Sequence, residues 1–121
     1  MNYYILIEKY GKTYLECLPG LAPITSGREA LDLVALCNEH GTDRLMLHPE
    51  HLPSAFFDLK TRLAGDVLLK FTNYQIKVVA VTTPELVGEG RFAEMAMESN
   101  HFSEFGIFYA RQQAEQWLLQ E

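Results

Sequence analysis

The sequence predicts an α/β fold: one mixed β-sheet with flanking helices, in the order β-β-α-β-α-β-α-β-α. Three observations carry that prediction. Two short runs rich in β-branched and aromatic residues flank a turn at Gly11. Three later apolar runs are too short to be helices, and the segments between them repeat apolar residues at three- and four-residue spacing. A chain of 121 residues is long enough for one domain, here 1–121, because domains run about 100–200 residues.

Residues 3–8 and 12–18 read as an antiparallel hairpin closed at Gly11. In the second arm Thr13, Leu15 and Cys17 alternate with Tyr14, Glu16 and Leu18, the period of a strand with two unlike faces. Pro19 to Pro23 then breaks the pattern. Ser26-Gly27-Arg28-Glu29 fits a capping box, so a helix begins there, with Ala30, Leu33, Val34 and Cys37 on one stripe and Gly41 as the left-handed stop after His40. Residues 44–48 form a short buried strand that Pro49 ends. From Pro53 a second helical region runs through Phe56, Phe57 and Leu59 to Leu63, Ala64, Val67, Leu68 and Phe71. Gly65 inside it costs about 1 kcal/mol relative to alanine, which close packing of the helix on the sheet would explain. Gln75 to Thr82 is a continuous β-branched run, the pattern of a strand covered on both faces at the sheet centre. A helix over residues 91–100, a strand over 106–110 and a last helix over 111–120 complete the order, the last with Ala114, Trp117 and Leu118 inward.

The 10 Lys and Arg against 16 Asp and Glu give a net charge of −6, which repels phosphate backbones and anionic headgroups, so neither nucleic acid nor a membrane surface is an expected partner. No apolar run approaches the roughly 18–20 residues that span a bilayer, and Met1-Asn2-Tyr3-Tyr4 lacks a basic leader, so a cytoplasmic location is expected. Cys17 and Cys37 lie 20 positions apart inside apolar segments, which fits reduced core residues and neither a redox pair nor a zinc knuckle. No P-loop or G-x-G-x-x-G occurs, Gly88-Glu89-Gly90 is a weak phosphate candidate, and no cofactor is expected.

The densest set of metal-ligating residues is His48-Pro49-Glu50-His51. Its spacing matches no metal motif, so His48, Glu50 and His51 are weak candidates against solvated loop histidines. Asp58 and Asp66, if both helical, stand about 12 Å apart along the axis, too far for an acid/base pair. Asp58 reads instead as an N-cap, and Glu98-Ser99-Asn100 as a helix end with a polar ligand contact as its functional alternative.

The run Phe56-Phe57-Asp58-Leu59-Lys60-Thr61-Arg62-Leu63-Ala64-Gly65-Asp66-Val67-Leu68-Leu69-Lys70-Phe71-Thr72-Asn73-Tyr74 resembles the signature of the bacterial domain of unknown function 4180 family. Glu29-Ala30-Leu31-Asp32-Leu33 and Glu98-Ser99-Asn100 agree with it in order and spacing. The family brings no established activity or catalytic residue. The element order also resembles that of STAS domains, the class that includes anti-sigma-factor antagonists, in which a Ser or Thr at the start of the second helix is phosphorylated. Here Leu59 and Lys60 stand where that Ser-Ser pair is expected, and Thr61 is the nearest hydroxyl.

The reading is therefore a STAS-like α/β domain that acts as a non-enzymatic interaction or regulatory module, its partner another protein or itself. Its surface would comprise Phe56, Phe57, Asp58, Lys60, Thr61 and Arg62 with Glu98 and Asn100. The alternative is a small-molecule binder or small enzyme built on His48, Glu50, His51 and Asp58. A third possibility is a homodimer formed through the hairpin edge around Tyr3 to Glu8.

Overall fold

Tyr10 and Gly11 have φ of 55° and 76°, the left-handed pair that a two-residue hairpin turn requires. They join β1 (Tyr4–Lys9) to β2 (Lys12–Cys17) in an antiparallel pair that matches Tyr4 with Cys17 and Lys9 with Lys12. A computed structural model of the chain describes residues 3–88 and 105–120, and the expected helix over 91–100, with Glu98 and Asn100, lies outside the described residues.

From β2 onward the strands run parallel: β3 (Arg44–Leu47), β4 (Lys77–Val81) and β5 (Phe105–Phe108), in the spatial order β1-β2-β3-β4-β5. The sheet is mixed, as the opening hairpin followed by alternation requires. Because each new strand is added on the same side, right-handed crossovers place the helices between β2 and β4 on one face. These are α1 (Gly27–Glu39) and α2 (Leu63–Asn73), packed over Leu15, Leu45, Leu47, Val78 and Ala80. A single-turn helix, α3 (Pro84–Val87), follows β4. The last helix, α4 (Arg111–Leu118), covers the opposite face, where Ala114 and Leu118 meet Tyr14, Met46 and Val79.

With helices on both faces, β2 is an interior strand: Tyr14, Leu15, Glu16 and Cys17 are all buried. The period-two pattern there separates two packed faces, one of which carries a carboxylate, and not a wet face from a dry one. Cys17 and Cys37 are free and buried, and burial drives both thiols upward, Cys37 to about 12. At α1, Ser26 accepts from Arg28 N–H (3.2 Å), while the Glu29 carboxylate takes Thr25 N–H (3.0 Å) and the Ser26 and Thr25 hydroxyls. Gly41, φ 69°, follows His40 as expected.

The second helical region differs from its expectation. Residues 53–62 are wound as two 3-10 turns, Ser54–Phe57 and Leu59–Thr61, and the α-helix begins only at Leu63. Local hydrogen bonding is the cause. Thr61 Oγ1 donates back to the carbonyls of Ala55 (2.6 Å) and Asp58 (2.8 Å), and Arg62 takes a left-handed conformation, φ 63°, that interrupts the winding.

Gly65 is not where the chain packs closely. It is exposed in the first turn of α2, and a Cβ there meets nothing within 4 Å. The tight approach is at Gly27, where a Cβ would stand 2.5 Å from Asp66 Oδ2 across the α1–α2 contact. Gly65→Ala is therefore expected to raise stability by about 0.5–1 kcal/mol, measured as a higher urea midpoint at unchanged slope. A lower midpoint would show that the backbone there needs glycine.

Candidate functional site

The expected partner surface is only partly a surface. Phe56 is 1% exposed and belongs to the core beneath α2, its ring 5.4 Å from that of Phe57 and 6.5 Å from that of Phe105. Phe57 is half-buried against the same core. Asp58, Lys60, Thr61 and Arg62 are exposed. Asp58 is a cap, as expected of its carboxylate, but of the 3-10 turn, where Oδ1 accepts from Lys60 N–H at 3.0 Å. Thr61 and Arg62 border an open hollow of about 850 Å³ between the starts of α1 and α2, floored by Ala55, Leu63 and Ala64 and flanked by Leu69.

The histidine cluster separates. His51 is fully buried, its Nδ1 accepting from His48 N–H (3.1 Å) and its Nε2 facing the Leu18 carbonyl (2.9 Å), an arrangement that the Nε2–H tautomer satisfies. The Nε2 contact ties the loop after β3 to the loop after β2, while the Nδ1 contact closes the turn within the loop after β3. His48 turns instead to Glu16, with Nε2 2.7 Å from Oε2, and its ring centroid is 6.3 Å from that of His51. Glu50 is exposed. Among the described residues no group of three His, Cys, Asp or Glu side chains is placed to hold a metal ion.

What the sequence reading missed is a polar cluster that begins at the carboxyl ends of the parallel strands, the place where α/β sheets gather function, and runs along α4 to Lys9 beside the amino end of β2. Glu16, 5% exposed at the end of β2, accepts two bonds from Arg111, Nε at 2.9 Å and Nη2 at 2.6 Å, and faces His48 on its other oxygen lone pairs. Arg111 Nη2 also donates to Tyr14 Oη (3.0 Å), which donates to Glu115 Oε2 (2.5 Å), and Lys9 completes the chain on Glu115 Oε1 (2.8 Å). Burial alone would raise the Glu16 carboxyl, but the bonds from Arg111 and then His48 outweigh it and hold it down at about 2. Lys9 and Tyr14 likewise lower Glu115, and burial together with the Glu115 bond raises Tyr14.

A signal for this cluster existed. Arg111, Glu115 and Leu118 are spaced i, i+4, i+7, so the inward stripe of the last helix carries both charges, and Glu16 shares a strand face with Tyr14. The cluster is internally satisfied. It clamps α4 and the hairpin to the sheet, helped by Lys12 Nζ donating to the Leu119 carbonyl at 2.6 Å.

The clamped hairpin presents a free edge. Leu18 N–H donates to the Tyr3 carbonyl (2.8 Å), so by antiparallel alternation Tyr3, Ile5, Ile7 and Lys9 point their backbone groups at β2. Tyr4, Leu6 and Glu8 therefore point theirs outward, where among the described residues no strand lies beside β1. Ile5 and Leu6, on opposite faces of this edge, are 41% and 42% exposed.

Fold and surface together define a mixed five-stranded α/β domain whose ionisable cluster is spent on its own packing and whose opening hairpin offers an apolar strand edge. Its family is given by comparison: the model described as Domain of unknown function (DUF4180) matches residues 9–118, and the chain belongs to that family. No curated protein and no solved structure matches it. Among the described residues no helix is long and apolar enough to cross a membrane.

Proposed function

We propose that this is a non-enzymatic protein-interaction module of the bacterial cytoplasm, and that its working surface is the outer edge of β1. The observation that carries the reading is the exposure of Ile5 and Leu6 on a strand whose outward N–H and C=O groups at Tyr4, Leu6 and Glu8 face no other strand among the described residues. Such an edge takes an extended segment as an added strand, with main-chain bonds for affinity and side chains for choice. Support comes from the clamp: Tyr4 Oη lies 2.9 Å from His40 Nε2 on one face, and Lys9, Lys12 and Tyr14 are held by α4 on the other, so the edge is rigid before a partner arrives. The buried free thiols suit a reducing compartment. A regulatory role rests on the likeness of element order to STAS domains.

The test is a photocrosslinking residue in place of Leu6, introduced in the living cell. Adducts that map to one extended segment of a protein are expected, and a probe at Tyr74, at least as solvent-facing but at the end of α2 and away from the edge, should give none. Equal labelling at the two positions, or none at Leu6, overturns the reading. A second reading, small-molecule binding, is favoured by the hollow beside Thr61 and Arg62, whose size is that of ordinary ligand pockets. It requires native mass spectrometry of protein purified from its host to show a small mass that is lost on unfolding.

A further inference from the structure

The unpaired groups of β1 are self-complementary. We infer that the strand which completes this edge is the β1 of a second copy, laid antiparallel about a two-fold axis through Leu6. The inference rests on the edge reading above and adds the identity and register of the partner.

Only Tyr4, Leu6 and Glu8 face outward, so any pairing must use them. With the axis at Leu6 all three are used: Leu6 meets Leu6 of the second copy, and Tyr4 meets Glu8 twice, for up to about six main-chain bonds. Other registers do less. An axis at Ile5 or Ile7 engages only two outward residues per copy, and one at Glu8 sets two carboxylates directly opposite each other, which is repulsive.

The side chains agree with the Leu6 register. Because strand side chains alternate, a two-fold axis perpendicular to the sheet keeps like faces together. On the α4 face Ile5 then stands opposite Ile7, apolar against apolar, in the closer non-hydrogen-bonded type of pair. On the other face the two exposed Leu6 side chains cover each other. No like charges are opposed, since Lys9 comes opposite Tyr3 and Glu8 opposite Tyr4. The result is a ten-stranded sheet continuous across both copies, in which neither β1 remains an edge.

Sedimentation equilibrium of the full chain over the micromolar range tests it. The native protein should run at twice the 13.8 kDa of one chain. Leu6→Lys places two ammonium groups at the axis and should raise the dissociation constant about 100-fold or more. Because Leu6 is substantially exposed, that variant should keep the native circular dichroism. Register is read from cysteine pairs. Mixed Ile5→Cys and Ile7→Cys chains should form an intermolecular disulfide, their Cα atoms being about 4.5 Å apart, while neither variant should do so alone.

A Leu6→Lys protein that stays dimeric, or a disulfide between two Ile5→Cys chains, overturns the proposal. A native chain that is monomeric throughout while Leu6 still crosslinks to one segment of another protein overturns self-pairing and leaves the edge reading standing. A monomer with no crosslink at Leu6 removes both.

Discussion

Arg111→Ala is expected to lower stability by about 3 kcal/mol at pH 7, because it leaves the buried Glu16 carboxylate with His48 as its remaining side-chain partner. The figure sits at the low end for a broken buried pair, since the guanidinium itself is partly exposed. The pH dependence follows from the direction of the shift. Glu16 is held at about 2 against an ordinary 4.5, so its contribution is fully present above about 4.5 and is lost as pH falls from there through about 2. Glu115, lowered by Lys9 and Tyr14, loses its contribution in the same direction. In Arg111→Ala burial dominates at Glu16, so the gap between native and variant proteins should narrow sharply below pH 4.5. Urea titrations at pH 7 and pH 3 measure this. A gap equal at both values would mean that Arg111 acts through the packing of its aliphatic stem and not through its charge.

Phe56→Ala should cost about 3–5 kcal/mol, the usual range for deleting a fully buried phenyl ring from a packed core. Lys60→Ala, four residues on and exposed, should stay within about 0.5 kcal/mol. Both positions fall in the segment that most resembles the family signature, so the comparison separates its core from its surface. Near-native stability of Phe56→Ala would return that ring to the surface. Any loss of partner binding in Phe56→Ala has to be read against its stability, whereas Leu6→Lys tests the edge without touching the core.

Elements whose causes are local were legible in the chain. The cap at Ser26 with Glu29, the stop at Gly41, the hairpin at Gly11 and the β-branched run from Gln75 act through bonds and periodicities a few residues long. The stretch at residues 53–62 departs from its helical spacing for a related reason. Its apolar spacing suits a helix, but Thr61 bonding back to Ala55 and Asp58 competes with helical winding, and spacing alone carries no record of that competition. An aromatic pair in a motif looks the same whether it faces solvent or α2, so spacing alone does not show that Phe56 is buried.

The candidate sites divide in the same way. Charge, length and thiol spacing set expectations about whole classes of partner without any fold. The hairpin edge was visible as a possibility because β1 is short, apolar on both faces and first in order. Tertiary structure alone decided that His48 and His51 serve different neighbours, that Glu16 is buried, and that Arg111, 95 positions away, supplies its counter-charge. The physical reason is the range of the interactions. Periodicity and capping are written into neighbouring residues, whereas an ion pair between a strand near the start and a helix near the end exists only once four parallel strands have set the last helix across the sheet face, and a free edge exists only where no further strand is added.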